Sequence, residues 1–399
     1  MPQDLVKTSR IDPLDIQGHI PENTPLTCWI RHSDGMIGLG ETHARTFASA
    51  QEAEQWWTDL CEHTTIDHDC SLNEDPMASP VAFISFPFTR AGAYEVVVPE
   101  VVYGRRGDMY WMTTWNNAHI GLGSQQYEPS QVTFRAGSLD ETHWKHAVRE
   151  AVTRIEAGDI EKVVLARDET GQAERPIDLR HVISRLIATY PSTWTFCVKG
   201  LVGATPELLI RRDRGLVTSR VLAGTIHGDS DPAALAQALA SSSKDLAEHE
   251  YAVASVADAL RPHVTSLHVP EMPFTLRLPN VMHLASDITG AARPETTVLG
   301  LAQAIHPSAA VCGTPTDVAR ETIAELEHLD RGRYAGPVGW INAQGDGEIG
   351  IALRCGQFTD SEVRIFAGAG IVADSDPDAE WDETAAKLAP MKQTLSQTD

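Results

Sequence analysis

Two carboxylate-rich segments, each with the makeup of a helix, lie near the two ends of the second half of the chain. They are Ser243-Lys-Asp-Leu-Ala-Glu-His-Glu250 and Glu380-Trp-Asp-Glu-Thr-Ala-Ala-Lys387. In the second, Glu380, Glu383 and Lys387 recur at i, i+3 and i+7 and therefore share one helix face. Trp381, Thr384, Ala385 and Leu388 fall on the other face, free to pack. Carboxylates drawn from separate helices, few in number and not gathered on a tight loop, suit Mg²⁺. That ion keeps several waters and takes its remaining oxygens from an anionic substrate. The plainer alternative is two solvated helix faces.

Other residues carry complementary chemistry. Lys162 opens the apolar run Lys162-Val-Val-Leu-Ala-Arg167. It is either a lysine snorkelling from a strand end or a partly buried amine able to act as a general base. Glu207, in Gly203-Ala-Thr-Pro-Glu-Leu-Leu-Ile210, precedes an apolar strand. It is either an edge residue or, in a dry pocket, a carboxyl with a raised pKa that acts as a general acid. Arg354 stands in the apolar run Ile349-Gly-Ile-Ala-Leu-Arg-Cys355 and needs a partner there, an acidic side chain or a substrate carboxylate. Tyr334 offers a hydroxyl. Gly368-Ala-Gly370, after a strand, lets backbone N–H groups approach an anion. Together these residues suit a small substrate with two carboxylates. One would be held by Mg²⁺ and Lys387, the other by Arg354, Tyr334 and glycine amides, with an amine and a carboxyl flanking the ring.

These residues must be positioned by strands and helices, and the patterning says which. Residues 1–137 read as short strands and loops with one acidic helix, and they carry no catalytic motif. Val81–Phe88 is a buried-strand candidate. Glu95–Tyr103 is another, broken by Pro99 as at an edge or an end. Tyr127–Gly137 is polar and turn-rich, a connection to the second part of the chain. Ser138-x-x-Glu141 has the capping-box pattern, and Trp144, Val148, Ala151, Val152 and Ile155 recur at helical spacing up to Gly158. Strands are expected at Lys162–Arg167, Trp194–Val198, Glu207–Arg211 and Gly215–Arg220. Helices at about 232–262 and 317–329 alternate with strands near Gly336–Ile341, Glu348–Phe358 and Ser361–Ala367. Hairpin signals such as Gln344-Gly-Asp-Gly347 indicate antiparallel sheets with helices packed on them, an α+β fold. The segment after Pro390 reads as a polar, frayed tail, with 393–399 outside the catalytic region 138–392.

Composition excludes several classes. A chain of 399 residues can bury a large core. A formal net charge of −23 argues against nucleic acid and anionic membrane as general partners, though not against a small anion in a local basic pocket. No apolar run approaches a membrane span, and the first residues lack a signal-peptide layout. Six scattered cysteines without a Cys-x-x-Cys indicate free thiols and a cytoplasmic setting.

Read in order, the motifs resemble those of the chorismate-utilising enzymes, and within them the isochorismate synthases. The resemblance covers about residues 138–392. It rests on Lys162–Arg167, Gly203–Glu207, Leu222-Ala-Gly-Thr225, Lys244-Asp-x-x-Glu-His249 and His306-Pro-Ser-Ala-Ala-Val-Cys-Gly-Thr-Pro315. It continues through Arg333-Tyr-Ala-Gly-Pro-Val-Gly339, Ile351–Arg354, Ala367–Val372 and Glu380–Thr384. It implies two large antiparallel sheets with helices packed outside and the site in a cleft. It also implies Mg²⁺-dependent conversion of chorismate to isochorismate, water entering at ring C2 and the C4 hydroxyl leaving. By motif match, Lys162 is the base and Glu207 the acid. Glu248 and Glu383 are the direct Mg²⁺ ligands, with Glu380 bonding through a metal-bound water. Gly224, Thr225 and Lys387 would contact the ring carboxylate. Tyr334, Arg354 and Gly370 would contact the enolpyruvyl carboxylate, with Gly368 two residues before it also in the substrate site. His306 would line the ring pocket.

Two other readings stay in play. A salicylate synthase would make isochorismate and then expel pyruvate. A non-catalytic chorismate-binding sensor or scaffold would be expected to have lost Lys162, Glu207 or a metal carboxylate, and all are present. The ammonia-using relatives show Thr-x-Ser-Gly where this chain has Ala310-Val-Cys-Gly313, and the anthranilate synthases among them do not show a lysine at the place of Lys162. No glutamine-amidotransferase subunit is expected, and a monomer is. The family's Arg-rich stretch after Ala-Gly-Thr is here Ile226-His-Gly-Asp229. The product would feed menaquinone or siderophore synthesis.

Overall fold

The computed structural model describes residues 4–72, 75–121, 123, 129–226, 231–278 and 281–396. Within these, the side chains of residues 225, 226, 232, 243–245, 247, 248, 278 and 281 lie outside the description.

Two large sheets dominate the described residues, one of thirteen strands and one of ten. All pairs are antiparallel except Leu5–Arg10 with Thr65–His68. The N-terminal third is built into both sheets. Leu26–Arg31, Asp34–Leu39, Val101–Arg106 and Met109–Trp115 continue the larger one, and Val81–Ser85 with Tyr94–Val98 continue the smaller. The expected α+β fold with antiparallel sheets and outer helices is what forms.

The chain passes from one sheet to the other at a few sharp points, and these organise the molecule. Leu201–Thr205 lies in the larger sheet and Leu208–Asp213 in the smaller, with Pro206-Glu207 between them. The return is made at Ala352-Leu353-Arg354, between Gly347–Ile351 in the smaller sheet and Cys355–Thr359 in the larger. The two crossings are neighbours, since Leu208 pairs with Gly350 and Gly203 with Cys355. The expected single strand Glu348–Phe358 is therefore two strands. Likewise Glu95–Tyr103 is two strands in different sheets, so Pro99 marks a crossing rather than a free edge.

Several local expectations are corrected. The helix Glu141–Glu156 is capped by Asp140, whose Oδ1 accepts from His143 N at 2.9 Å. Ser138 N instead donates to Asp168 Oδ1. The left-handed turn after this helix does fall on Gly158, at φ +82°. The segment 232–262 is two helices, Pro232–Ser241 and Ser243–Leu260, with a short 3-10 turn after them. The turn-rich connection holds a strand, Val132–Ala136, on the edge of the larger sheet. The helix Pro377–Ser396 runs straight through Pro390. Met391, Thr394 and Leu395 are buried, so residues 391–396 are a packed helix end and not a frayed tail.

That last helix shows how one face is anchored while the other stays available. Thr384 and Leu388 are buried against the larger sheet. Thr384 Oγ1 accepts from Arg167 Nε at 2.7 Å, and the Arg167 guanidinium lies 3.7 Å from the centre of the Trp381 ring. Trp381 also packs on Trp144, ring centres 5.7 Å apart. A cation over a π face and a satisfied hydroxyl hold the inner face, leaving Glu380, Glu383 and Lys387 on the other side.

Candidate active site

A cavity of about 360 Å³ lies where the sheets exchange strands. Most of the residues singled out from the sequence line it: Lys162, Glu207, Gly224, Ala310, Tyr334, Arg354, Gly368, Gly370, Glu380, Glu383 and Lys387. They come from widely separated stretches of chain, so the convergence is a product of the fold.

Lys162 is the first residue of Lys162–Ala173, whose ladder with Glu362–Ile371 begins at Val163 opposite Ile371. Gly368 and Gly370 lie inside that partner strand, not after it, and two residues apart they show the same face. A Cβ on Gly370 would stand 3.0 Å from Lys162 Cε, and one on Gly368 3.2 Å from Tyr334 Oη. The bare strand thus leaves room for the amine and the phenol beside it. Gly224, at φ +76°, sits at the bulge between Ala223 and Thr225 in Leu216–Ile226. Thr225 shares this strand, but its side chain lies outside the described residues.

Glu207 occupies the crossing itself. Its backbone N–H donates to Thr205 Oγ1 at 3.3 Å, and its carbonyl accepts from Ile351 N at 3.1 Å. The carboxyl is buried, which raises its pKa to about 7, while the charges of Lys162, Arg354 and Lys387 pull it back down. A carboxyl poised at neutral pH can donate a proton, which an exposed glutamate cannot do there.

Arg354 stands at the neighbouring crossing with φ +49°, an unusual backbone for arginine. Burial lowers its pKa, and Tyr334, Glu383 and Glu207 raise it. Among the described residues no carboxylate forms an ion pair with it, which leaves the guanidinium fork for a ligand's carboxylate. Tyr334 is buried and stacks on Phe366, ring centres 5.0 Å apart, and burial pushes its hydroxyl pKa up. It therefore acts as a neutral donor.

Lys387 reaches back across the last helix. Its Nζ lies 2.5 Å from Glu383 Oε1 and donates to Gly368 O at 2.9 Å. Burial lowers its pKa and Glu383 raises it. Glu380 accepts from Ser375 Oγ at 2.7 Å. Asp374 and Asp376 line the same mouth. These donors are all hard oxygens, a set that fits Mg²⁺ and not a thiolate- or imidazole-bound metal. Among the described residues no three such groups are gathered closely enough to hold a metal by themselves. The third sequence candidate, Glu248, belongs to Ser243–Leu260, but its side chain lies outside the described residues. Its neighbour His249 places the helix: Nδ1 is 3.1 Å from Ala223 O and Nε2 2.8 Å from Ser286 Oγ. Ala223 and Gly224 are cavity wall, so this helix backs the site.

His306 does not line the cavity. It stands behind the wall, its Nε2 2.9 Å from Ala335 O, and Ala335 is the lining residue. A carbonyl only accepts, so Nε2 carries the hydrogen. Burial lowers its pKa to about 4, so the ring is neutral. Arg331, His283, Leu222, Leu353 and the Asp374–Asp376 turn line the cavity without having been singled out. Arg331 belongs to Glu327-x-x-x-Arg331, a spacing that reads as an ordinary helix ion pair.

A family model described as chorismate binding enzyme matches residues 108–396. The isochorismate synthase DhbC of Bacillus subtilis (strain 168) is 35% identical over 332 residues, covering 79% of this chain and 81% of its own length. The isochorismate synthase EntC of Escherichia coli (strain K12) is 36% identical over 268 residues, 65% of this chain and 68% of its own. Among solved structures, MenF, the menaquinone-specific isochorismate synthase from Escherichia coli, superposes with a TM-score of 0.84. That likeness spans 100% of this chain and 95% of the other at 24% identity, and it is one of fold. With the matched region holding the last helix, both crossings at the cavity and the strands that carry Lys162 and Gly370, this chain belongs to the chorismate-binding enzyme family.

Proposed function

We propose that the protein is an isochorismate synthase, an isomerase that adds water at C2 of chorismate and releases the C4 hydroxyl. The observation that carries this reading is Glu207: a buried carboxyl with a pKa of about 7, in the cavity that Lys162 also enters. Lys162 takes a proton from the attacking water. Glu207 gives a proton to the departing C4 hydroxyl, which leaves as water. One water enters and one leaves, so the sum is an isomerisation. In the reverse direction the two groups exchange roles.

The substrate's two carboxylates would be held by two groups of cavity residues. Arg354 and Tyr334 would hold one with a guanidinium and a neutral hydroxyl, together with Gly370. Lys387, Gly224 and Thr225 serve the other. Glu248 and Glu383 would hold Mg²⁺, with Glu380 bonding through one of its waters. When bound, the ion supplies a Lewis acid that neutralises the ring carboxylate and orients the ring. The Glu383–Lys387 pair supports this reading, since it places a metal-type oxygen and a carboxylate-binding amine side by side.

Ala310 lines the cavity and brings only a methyl group. That favours release of isochorismate over elimination of pyruvate, which needs the enolpyruvyl side chain bent over the ring. The test is incubation with chorismate and Mg²⁺, and then separation of isochorismate, salicylate, anthranilate and pyruvate. Isochorismate without stoichiometric pyruvate is expected. Equimolar salicylate and pyruvate would make it a salicylate synthase, and no turnover of chorismate would leave a binding protein.

A further inference from the structure

The geometry points to Glu327 and Arg331 as positioning residues. Together they stand in for a missing strand beside Lys162 and tie that strand to the wall that carries Ala310.

One edge of Lys162–Ala173 is paired with Glu362–Ile371 from Val163 to Gln172. Among the described residues the other edge is strand-paired only at its ends. Gly313–Thr314 covers residues 162–163, and Val132–Ala136 covers 169–173. The gap between is buried, and its backbone groups must still be satisfied. Val164 N donates to Cys312 O at 2.8 Å, and Ala166 O accepts from Trp144 Nε1 at 3.2 Å. Asp168 O accepts from Gly137 N at 3.2 Å, and the two groups left on Val164 and Ala166 meet charged side chains. Ala166 N donates to Glu327 Oε1 at 2.7 Å, and Val164 O accepts from Arg331 Nη2 at 2.8 Å.

Arg331 also donates through Nη1 to Val311 O at 2.9 Å, and through Nε and Nη2 to the Glu327 carboxylate. Its flat face lies 4.2 Å from the centre of the Phe88 ring. These bonds occupy all but one of the five guanidinium N–H groups, so the residue is committed to the protein. Both partners are buried. A buried pair costs desolvation, and an apolar pair of similar volume is commonly no less stable, so stability alone gives little reason for it. What the pair does uniquely is geometric. One planar fork fixes Val164, two residues from Lys162, against Val311, next to Ala310. Both anchored segments line the cavity.

This inference rests on the reading of Lys162 as the base, and its test separates the two. The variants are Arg331→Lys, which keeps the charge but cannot span both carbonyls and Glu327, and the double change Glu327→Met with Arg331→Met. The double variant leaves no unpaired buried charge and keeps the proposal testable if the single one fails to fold. Two measurements are made on folded protein. Amide hydrogen exchange in residues 162–168 and 308–313 should accelerate together, with the ladder at 169–173 unchanged. With chorismate, kcat should fall on the order of 10–100-fold, as for a displacement of up to about 1 Å, with KM shifted less than about 3-fold. The reverse reaction should fall by the same factor. Folded variants with wild-type kcat, or with exchange unchanged in the two segments, would overturn the inference. If the unmodified protein does not convert chorismate, the functional reading fails, and the exchange measurement decides the tie by itself.

Discussion

Replacing Glu207 by Gln removes the proton of the buried carboxyl and keeps its shape. Burial holds the Glu207 pKa at about 7, against 4.5 for an exposed glutamate, the value expected in the unfolded chain. The folded state thus binds this proton more tightly than the unfolded state does. The corresponding stabilisation is fully present below about pH 4.5 and is lost as pH rises through about 7. At 1.36 kcal/mol per pKa unit, the difference between the two limits is about 3 kcal/mol. The assay is isothermal urea unfolding of wild type and Glu207→Gln from pH 4.5 to 8.5. Other groups titrate alike in both proteins and cancel in the difference. The wild type should lose about 3 kcal/mol relative to the variant across that range. In the proposed reaction this is the proton given to the departing C4 hydroxyl. Forward kcat/KM of wild type should therefore fall above about pH 7. Glu207→Gln should reduce turnover roughly 10²–10⁴-fold. Lys162 is the largest of the charges that lower the Glu207 pKa, so Lys162→Met should move the stability transition to higher pH. A stability difference that stays flat between pH 4.5 and 8.5 would show that Glu207 is not held protonated by burial, and the acid assignment would fall with it.

Lys162→Ala should slow chorismate consumption and isochorismate consumption by the same factor, roughly 10²–10⁴, while the fold survives. Unequal losses in the two directions would exclude a shared proton-transfer role. Turnover should stop in excess chelator and in Glu383→Ala or Glu248→Ala, and calorimetry should show tighter Mg²⁺ binding with chorismate present, since linked affinities are reciprocal. Full activity in chelator would remove the metal from the scheme. Gly370→Ala adds a methyl 3.0 Å from Lys162 Cε and should displace the amine, lowering kcat on the order of 10-fold with an unchanged unfolding midpoint. Wild-type kcat in that variant would mean the amine tolerates the crowding. Ala310→Thr adds a hydroxyl to the cavity wall and should raise the pyruvate released per chorismate consumed, read with a coupled pyruvate assay. An unchanged ratio would move that specificity elsewhere on the wall.

Many of the residues that line the cavity were legible in the sequence because each motif keeps its own local form. Glu380, Glu383 and Lys387 share a helix face by spacing alone, and all three line the cavity. The turn at Gln344–Gly347 and the helix stop at Gly158 were legible for a similar reason, since a glycine at positive φ acts locally. What the sequence could not show is where a strand leaves its sheet. An apolar run reads alike as one strand or as two in different sheets. Glu348–Phe358 hides the crossing that sets Arg354 at φ +49°, and Glu207 looks like a strand edge. Nor does Glu327-x-x-x-Arg331 differ in spacing from a surface ion pair. Its burial depends on Val164, Ala166 and Val311, which come from distant parts of the chain. By itself, then, the sequence determined which groups exist and which helix face or strand each one rides on, because those are set by backbone periodicity. Only the tertiary structure decided that Glu207 is held near neutral pKa and that Arg354 faces a cavity with no carboxylate ion pair among the described residues, because desolvation and charge coupling depend on neighbours that the fold alone brings within reach.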